Sequence, residues 1–147
     1  RISRPSFALI LIGSNDVATL DSSTYRHNLE AILDKTIAHN VVPIVSTIPE
    51  RDGYDAQVQE FNDIITQTAY QYQIPIWNFN AALASLPNRG LDQDGLHLSY
   101  PTGKLEQWDA AADFTGANLD YGYNMRNLTA LQVLDAIWRQ VVLGETP

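Results

Sequence analysis

The sequence predicts an α/β layered domain built on a parallel sheet. Two observations carry that prediction. Strand-like and helix-like stretches alternate along most of the chain, and the strand-like stretches are apolar at nearly every position, which suits strands covered on both faces.

The elements follow in order. Phe7 to Ile12 is an unbroken apolar run, read as a buried strand that stops on Gly13-Ser14-Asn15-Asp16. Ser22 and Ser23 are the expected N-caps of the next helix, in which Tyr25, Leu29, Ile32, Leu33, Thr36 and Ile37 recur at helical spacing. His39-Asn40 reads as its end. Val41 to Ile48 is a second buried strand, with Pro43 tolerated near its start. After the polar loop PERDGYD, Val58, Phe61, Ile65, Thr68, Ala69 and Tyr72 define one face of a second helix. Ile74 to Phe79 is a third, shorter strand, and a helical turn is expected across Ala81 to Leu86. The stretch from Pro87 to Lys104 is rich in Gly, Asp, Asn and Pro and reads as loop. Residues 105 to 126 show no clean period. In the last helix Leu128, Leu131, Leu134, Trp138 and Val141 form an apolar stripe, with Asn127 as the expected cap. In such folds sites lie just beyond the carboxyl ends of the strands, which is where Gly13 to Asp16 falls.

A chain of 147 residues is enough for one domain with a real core, and residues 1–147 are read as one. The formal net charge is −8, and Lys35 and Lys104 are the only lysines. Without a basic face, a nucleic-acid partner is not expected. Cysteine is absent, which excludes disulfides, thiolate metal sites and a cysteine nucleophile. No apolar segment approaches the ~20 residues that cross a bilayer, so no membrane span is expected. The chain opens on Arg1 and shows no signal peptide, and the expectation is a processed or trimmed chain, or part of something longer.

Two motifs carry chemistry. Asp94-Gly95-Leu96-His97 has the form D-x-x-H, a spacing that in a turn brings the carboxylate beside the imidazole. There the carboxylate can accept from Nδ1–H, fix the tautomer and leave Nε2 as a base. Gly95 lets that turn form. In the first motif, G-x-N-D, Gly13 permits close approach to the backbone, and the Asn15 amide is an uncharged donor suited to an oxygen gaining negative charge.

Together these motifs resemble the SGNH hydrolases, also called the GDSL esterase and lipase family. G-x-N-D matches that family's third block through Gly13, Asn15 and Asp16, and D-x-x-H matches its fifth through Asp94 and His97. The resemblance covers roughly residues 5 to 99 and the closing helix. It implies a flavodoxin-like three-layer α/β/α fold with a parallel sheet, and a serine ester hydrolase working through an acyl-enzyme. His97 is then general base and acid, Asp94 orients it, Asn15 donates to the oxyanion and Gly13 is the close-approach residue. Asp16 is expected to tie down its own loop. No cofactor and no metal are implied, and the substrate is an ester of a small molecule, carbohydrate or lipid.

The sequence departs from the family by lacking the G-D-S block with the nucleophilic serine, and the second block whose glycine amide completes the oxyanion hole. The chain therefore resembles the C-terminal portion of such a hydrolase. The nucleophile is expected outside it, and its N-terminal strand or strands are missing. In the family's strand order the first strand lies against the one at 7–12, so an upstream segment or a second chain is expected to cover that strand's edge.

Plainer readings stand beside these. Asp94 and His97 can be a structural loop pair, and Asn15 can simply satisfy loop backbone. Ser14 is a poor substitute nucleophile, because it lacks a G-x-S-x-G elbow. Asp92, Asp94 and His97 make a weak metal set. His27 is expected to be solvated and His39 to sit at a helix end. Residues 100–126 read as an insertion rich in aromatics, Tyr100, Trp108, Phe114, Tyr121 and Tyr123. These either form a small core of their own or line a substrate site. Asn127-Leu128-Thr129 is a glycosylation sequon, read more simply as a cap. The alternative to an esterase is a non-catalytic SGNH-like module that binds carbohydrate.

Overall fold

The computed structural model describes residues 5–101 and 108–145, and residues 102–107 of the expected insertion lie outside it. The chain divides into two compact units, Arg1–Asn80 and Ala81–Pro147.

The first unit holds a three-stranded sheet in the order β1-β2-β3, with β1 at Phe7–Ile10, β2 at Val42–Ser46 and β3 at Ile76–Trp77. Both pairings are parallel, as the apolar runs predict. In register, Leu9 faces Ile44 and Ile10 faces Val45, while Val45 faces Ile76 on the other side. Val45 joins the core beneath the helices. Ile44 points the opposite way by strand alternation and is equally buried, so the central strand is covered on both faces. Pro43 costs this sheet no ladder bond. The Val42 amide bonds toward β1 and the Val45 amide toward β3, so position 43 turns its missing N–H toward β3 below that strand's first pair.

The expectation of a first strand buried throughout needs correction. Among the described residues β1 pairs with β2 alone, three of its four residues are half-buried, and Leu9 is 37% exposed. A strand at the end of a sheet has a neighbour on one side only, and β1 shows the partial exposure that follows.

Two helices, α1 at Ser22–Ala38 and α2 at Asp55–Tyr72, pack on each other and on β2. Tyr25 of α1 stacks on Phe61 of α2 with ring centroids 4.0 Å apart. The α2 face is the one its spacing predicts, with Val58, Phe61, Ile65, Thr68 and Ala69 buried. In α1 only Tyr25, Leu29 and Leu33, each one turn apart, reach the core, and Ile32 and Ile37 are left exposed. Its cap is Asp21, not Ser22 or Ser23. Asp21 Oδ1 accepts from the Thr24 amide, and the Ser23 and Thr24 hydroxyls also donate to the carboxylate. Those bonds, the Ser23 hydroxyl first, hold the Asp21 carboxyl below the ordinary range. The helix ends as expected, at His39 with Asn40 left-handed behind it.

Helix α3, Phe79–Leu83, starts two residues earlier than expected and carries the chain into the second unit. There a turn at Pro87–Gly90 leads into a hairpin closed by an antiparallel bridge between Leu91 and Leu98. Short 3-10 turns at Trp108–Ala112 and Gly116–Asp120 precede the last helix, α4, at Gly122–Ile137, which ends in a π turn at Trp138–Val142. Helix α4 begins before Asn127, which is no cap. Its side-chain amide donates to the Ala111 carbonyl from within the helix, so the sequon carboxamide is already engaged. The expected apolar stripe is also corrected. Leu131, Trp138 and Val141 are exposed, while α4 packs on the 108–112, 116–120 and 87–90 turns and buries Gly122, Asn124 and Ile137. Asn124, fully buried, donates to the Ala110 and Asp113 carbonyls and ties those turns to the helix. Tyr100 is buried edge-on against Tyr123, and the Arg126 guanidinium lies over the Tyr123 ring.

Candidate active site

In the second unit the D-x-x-H motif is the tip of the hairpin. Its stem is pinned by the Leu91–Leu98 bridge, by the Asp92 amide donating to the His97 carbonyl at 2.7 Å, and by the Ser99 amide donating to the Gly90 carbonyl at 2.8 Å. The Gly122 amide donates to the Ser99 hydroxyl and the Tyr123 amide to the Ser99 carbonyl, so the start of α4 buttresses the same stem.

Gly95 sits at φ +65°, a left-handed position that suits glycine, and turns the chain so that Asp94 faces back across the loop. Asp94 Oδ1 accepts from the amides of Leu96 and His97, at 2.9 Å each, and Oδ2 accepts from His97 Nδ1 at 2.6 Å. An ionised carboxylate only accepts, so the proton of that short bond lies on Nδ1, and in the neutral ring the lone pair is then on Nε2. The His97 side-chain bond, then the two amides, lowers the Asp94 carboxyl from 3.8 to about 2. The His97 side chain is 69% exposed, so its free nitrogen is accessible. A cavity of about 280 Å³ opens beside the stem, lined by Pro87, Leu91, Ser99, Ala117 and Tyr121 among others. Asp92 is not part of the pair, and its carboxylate accepts from the Gln93 amide. Among the described residues no three His, Cys, Asp or Glu side chains gather as they would around a metal ion.

In the first unit the G-x-N-D stretch leaves the carboxyl end of β1. Gly13 is buried at φ +119°, and a Cβ there would come 2.8 Å from the Tyr25 hydroxyl, so its glycine has a local cause. That hydroxyl donates to the Ile12 carbonyl. Burial, and then the Asp16 charge, push the Tyr25 phenol above its ordinary range. Asn15 precedes a 3-10 turn at Asp16–Ala18, is exposed, and its side-chain amide has no hydrogen-bond partner among the described residues. Asp16 ties the loop down through its carbonyl, which accepts from the Thr19 and Leu20 amides. Gly13 and Asn15 thus lie in the first unit, and Asp94 and His97 in the second.

Two contributors are not visible as motifs. Arg51 donates from Nη1 to the Ser14 carbonyl at 2.8 Å and, more weakly, to the Asn15 carbonyl at 3.4 Å. Asn62, on α2, exchanges two hydrogen bonds with the backbone of Ile48 just after β2. The sequence signal for Arg51 is slight, a lone arginine in the loop following a buried strand.

Residues 3–101 match the model of the GDSL-like Lipase/Acylhydrolase family. The chain belongs to that family. Both motifs, Gly13–Asp16 and Asp94–His97, fall inside the matched stretch. Among solved structures, this GDSL-like chain is similar to a lipase/acylhydrolase from Enterococcus faecalis, with a TM-score of 0.65 and 19% identity over 92% of the chain. It is also similar to a GDSL-like lipase from Bacteroides thetaiotaomicron, with a TM-score of 0.66 and 18% identity over 90% of the chain. These likenesses show the fold. The GDSL-like chain spans 63% of the length of each of those structures. No curated protein matches it.

Proposed function

We propose that the protein containing this chain is a serine ester hydrolase, and that residues 1–147 supply its acid–base pair and one oxyanion donor. The observation that carries the reading is the 2.6 Å bond from His97 Nδ1 to an Asp94 carboxylate already fixed by two amides, within the stretch that matches the family.

In this reading His97 Nε2 removes the proton of a serine hydroxyl as the oxygen attacks the ester carbonyl. Asp94 holds the ring and stabilises the imidazolium that forms. The carbonyl oxygen becomes negative in the tetrahedral intermediate and accepts a hydrogen bond from the uncommitted Asn15 amide. His97 then returns its proton to the leaving alcohol, and water, activated by the same nitrogen, releases the acid from the acyl-serine. Gly13 keeps the backbone beside this point free of a side chain. The serine and a second oxyanion donor lie outside residues 1–147. A strand from that additional segment, or from a second chain, covers the open edge of β1, a placement supported by the pairing of β1 with β2 alone among the described residues. The substrate is an ester of a small molecule, a carbohydrate or a lipid, and the cavity beside the hairpin stem is room for part of it.

The test is covalent trapping in the full-length protein. A fluorophosphonate is expected to label one serine outside residues 1–147, located by peptide mass spectrometry. His97→Ala is expected to abolish the labelling and to cut ester turnover by about 10⁴-fold. A label on a serine within 1–147, or labelling indifferent to His97, overturns the assignment.

A further inference from the structure

The Gly13–Asp16 loop is held partly by local backbone bonds and partly by side chains from elsewhere in the chain. The Ile12 carbonyl accepts from the Tyr25 hydroxyl, the Gly13 carbonyl from the Val17 amide, and the Asn15 carbonyl from the Ala18 amide. The Ser14 carbonyl has none of these. Its partner is Arg51 Nη1 at 2.8 Å, and the same nitrogen lies 3.4 Å from the Asn15 carbonyl. One cation therefore grips the two peptide units on either side of the Asn15 α-carbon, while the Asn15 amide is left uncommitted.

Arg51 is itself fixed. Its guanidinium lies 4.8 Å from the centroid of the Tyr54 ring, and the Tyr54 amide donates to the Arg51 carbonyl at 3.0 Å. The loop that carries it is clamped after β2 by Asn62, whose Oδ1 and Nδ2 bond the Ile48 amide and carbonyl at 2.7 and 3.1 Å. Asn80 adds a further bond to the Ile48 carbonyl. The loops that follow β1 and β2 are thus joined beyond the strands' carboxyl ends by a charge-assisted contact, the kind of support that holds a reacting group within a fraction of an ångström.

We propose that Arg51 is a positioning residue for the oxyanion donor. It fixes the backbone of Ser14 and Asn15 so that the Asn15 amide is aimed before substrate arrives. The inference rests on the oxyanion role given to Asn15 above. A donor preset in this way acts on the charge that develops in the transition state and not on the neutral ester, so loss of the grip lowers kcat and spares KM.

The experiment is a double-mutant cycle in the full-length protein, with ester turnover as the readout. Asn15→Ala is expected to lower kcat by about 10²-fold or more. Arg51→Gln is expected to lower kcat by roughly 10- to 100-fold, with KM unchanged. In the Asn15→Ala background, Arg51→Gln is expected to cost nothing further, because the group it aims is gone. Arg51→Lys keeps the charge but loses the planar guanidinium that lies against the Tyr54 ring, and is expected to recover part of kcat. It also serves in place of the glutamine variant should that one fail to fold. If Asn15→Ala lowers kcat while neither Arg51 variant does, the inference falls and the oxyanion reading survives. Equal losses from Arg51→Gln with and without the Asn15 amide, or a rise in KM alone, also overturn it. If Asn15→Ala leaves kcat intact, both readings fall together.

Discussion

At the level of single side chains, the hairpin tip shows how local sequence sets chemistry. Asp94 accepts three hydrogen bonds from residues within three positions of it, so the whole arrangement is encoded in four consecutive residues and is legible as a motif. The same bonds give it a pH signature. The Asp94 carboxyl is lowered from 3.8 to about 2 in the folded chain, His97 being the largest cause. A carboxylate depressed by folding contributes stability above its ordinary value and loses that contribution as pH falls through the folded one. The thermal midpoint of Asp94→Asn is therefore expected to lie below that of the parent chain above about pH 4, with the gap closing toward pH 2. Melts recorded from pH 2 to 6 check this, and a gap that persists unchanged to pH 2 would mean the carboxylate charge is not its source. Ester turnover at neutral pH should fall by roughly 10⁴-fold in the same variant, since an amide at this position favours the wrong imidazole tautomer. Arg51 and Asn62 stand at the other extreme. Their partners are 37 and 14 residues away, no short pattern links them, and only the folded chain brings them together.

At the level of elements, legibility depends on whether burial follows one period. Helix α2 has an apolar face repeated over five turns, and Val58, Phe61, Ile65, Thr68 and Ala69 are buried as its spacing indicates, while Tyr72 is only half-buried and Asn62 and Ile64 are buried as well. The sheet's parallel pairing is legible for the same reason, in runs with no polar alternation. The start of α4 is not legible, because Tyr121 to Asn127 carries no apolar period. What holds that end is polar and non-local: the Ser99 hydroxyl on the Gly122 amide, and Asn124 reaching back to two carbonyls. The cap of α1 lies one residue before the expected serines, since Asp21 and the serines after it are all good caps and only geometry distinguishes them. Asn124 is the test of this polar anchoring. Asn124→Ala removes both bonds from a fully buried position and is expected to destabilise the protein by about 1–3 kcal/mol. Urea titration measures that loss, and hydrogen exchange should rise first in the 108–120 segment that the side chain ties down. Unchanged exchange there would show that the segment is held by something else.

For the molecule as a whole, the proposed reading makes the functional groups of this chain necessary for ester hydrolysis through an acyl-enzyme and insufficient for it. On that reading His97 moves a proton and Asn15 holds an oxyanion, but the covalent intermediate also needs a hydroxyl as nucleophile. Ser14 is the serine nearest the candidate donor. Its carbonyl is gripped by Arg51, and it belongs to a loop leaving a strand, without the strained strand-to-helix turn that exposes a nucleophilic serine. Residues 1–147 by themselves are therefore expected to turn over p-nitrophenyl acetate no faster than their own His97→Ala variant, whereas the full-length protein is expected to turn it over readily and to lose that activity with His97. Parallel steady-state assays of the four proteins at equal concentration make the comparison, with circular dichroism confirming that each is folded. Turnover by residues 1–147 that depends on His97 would place the nucleophile inside the chain, and Ser14→Ala would then be the first variant to make. Absence of turnover in the full-length protein as well would leave the Asp94–His97 pair as a structural feature of the hairpin and remove the hydrolase assignment.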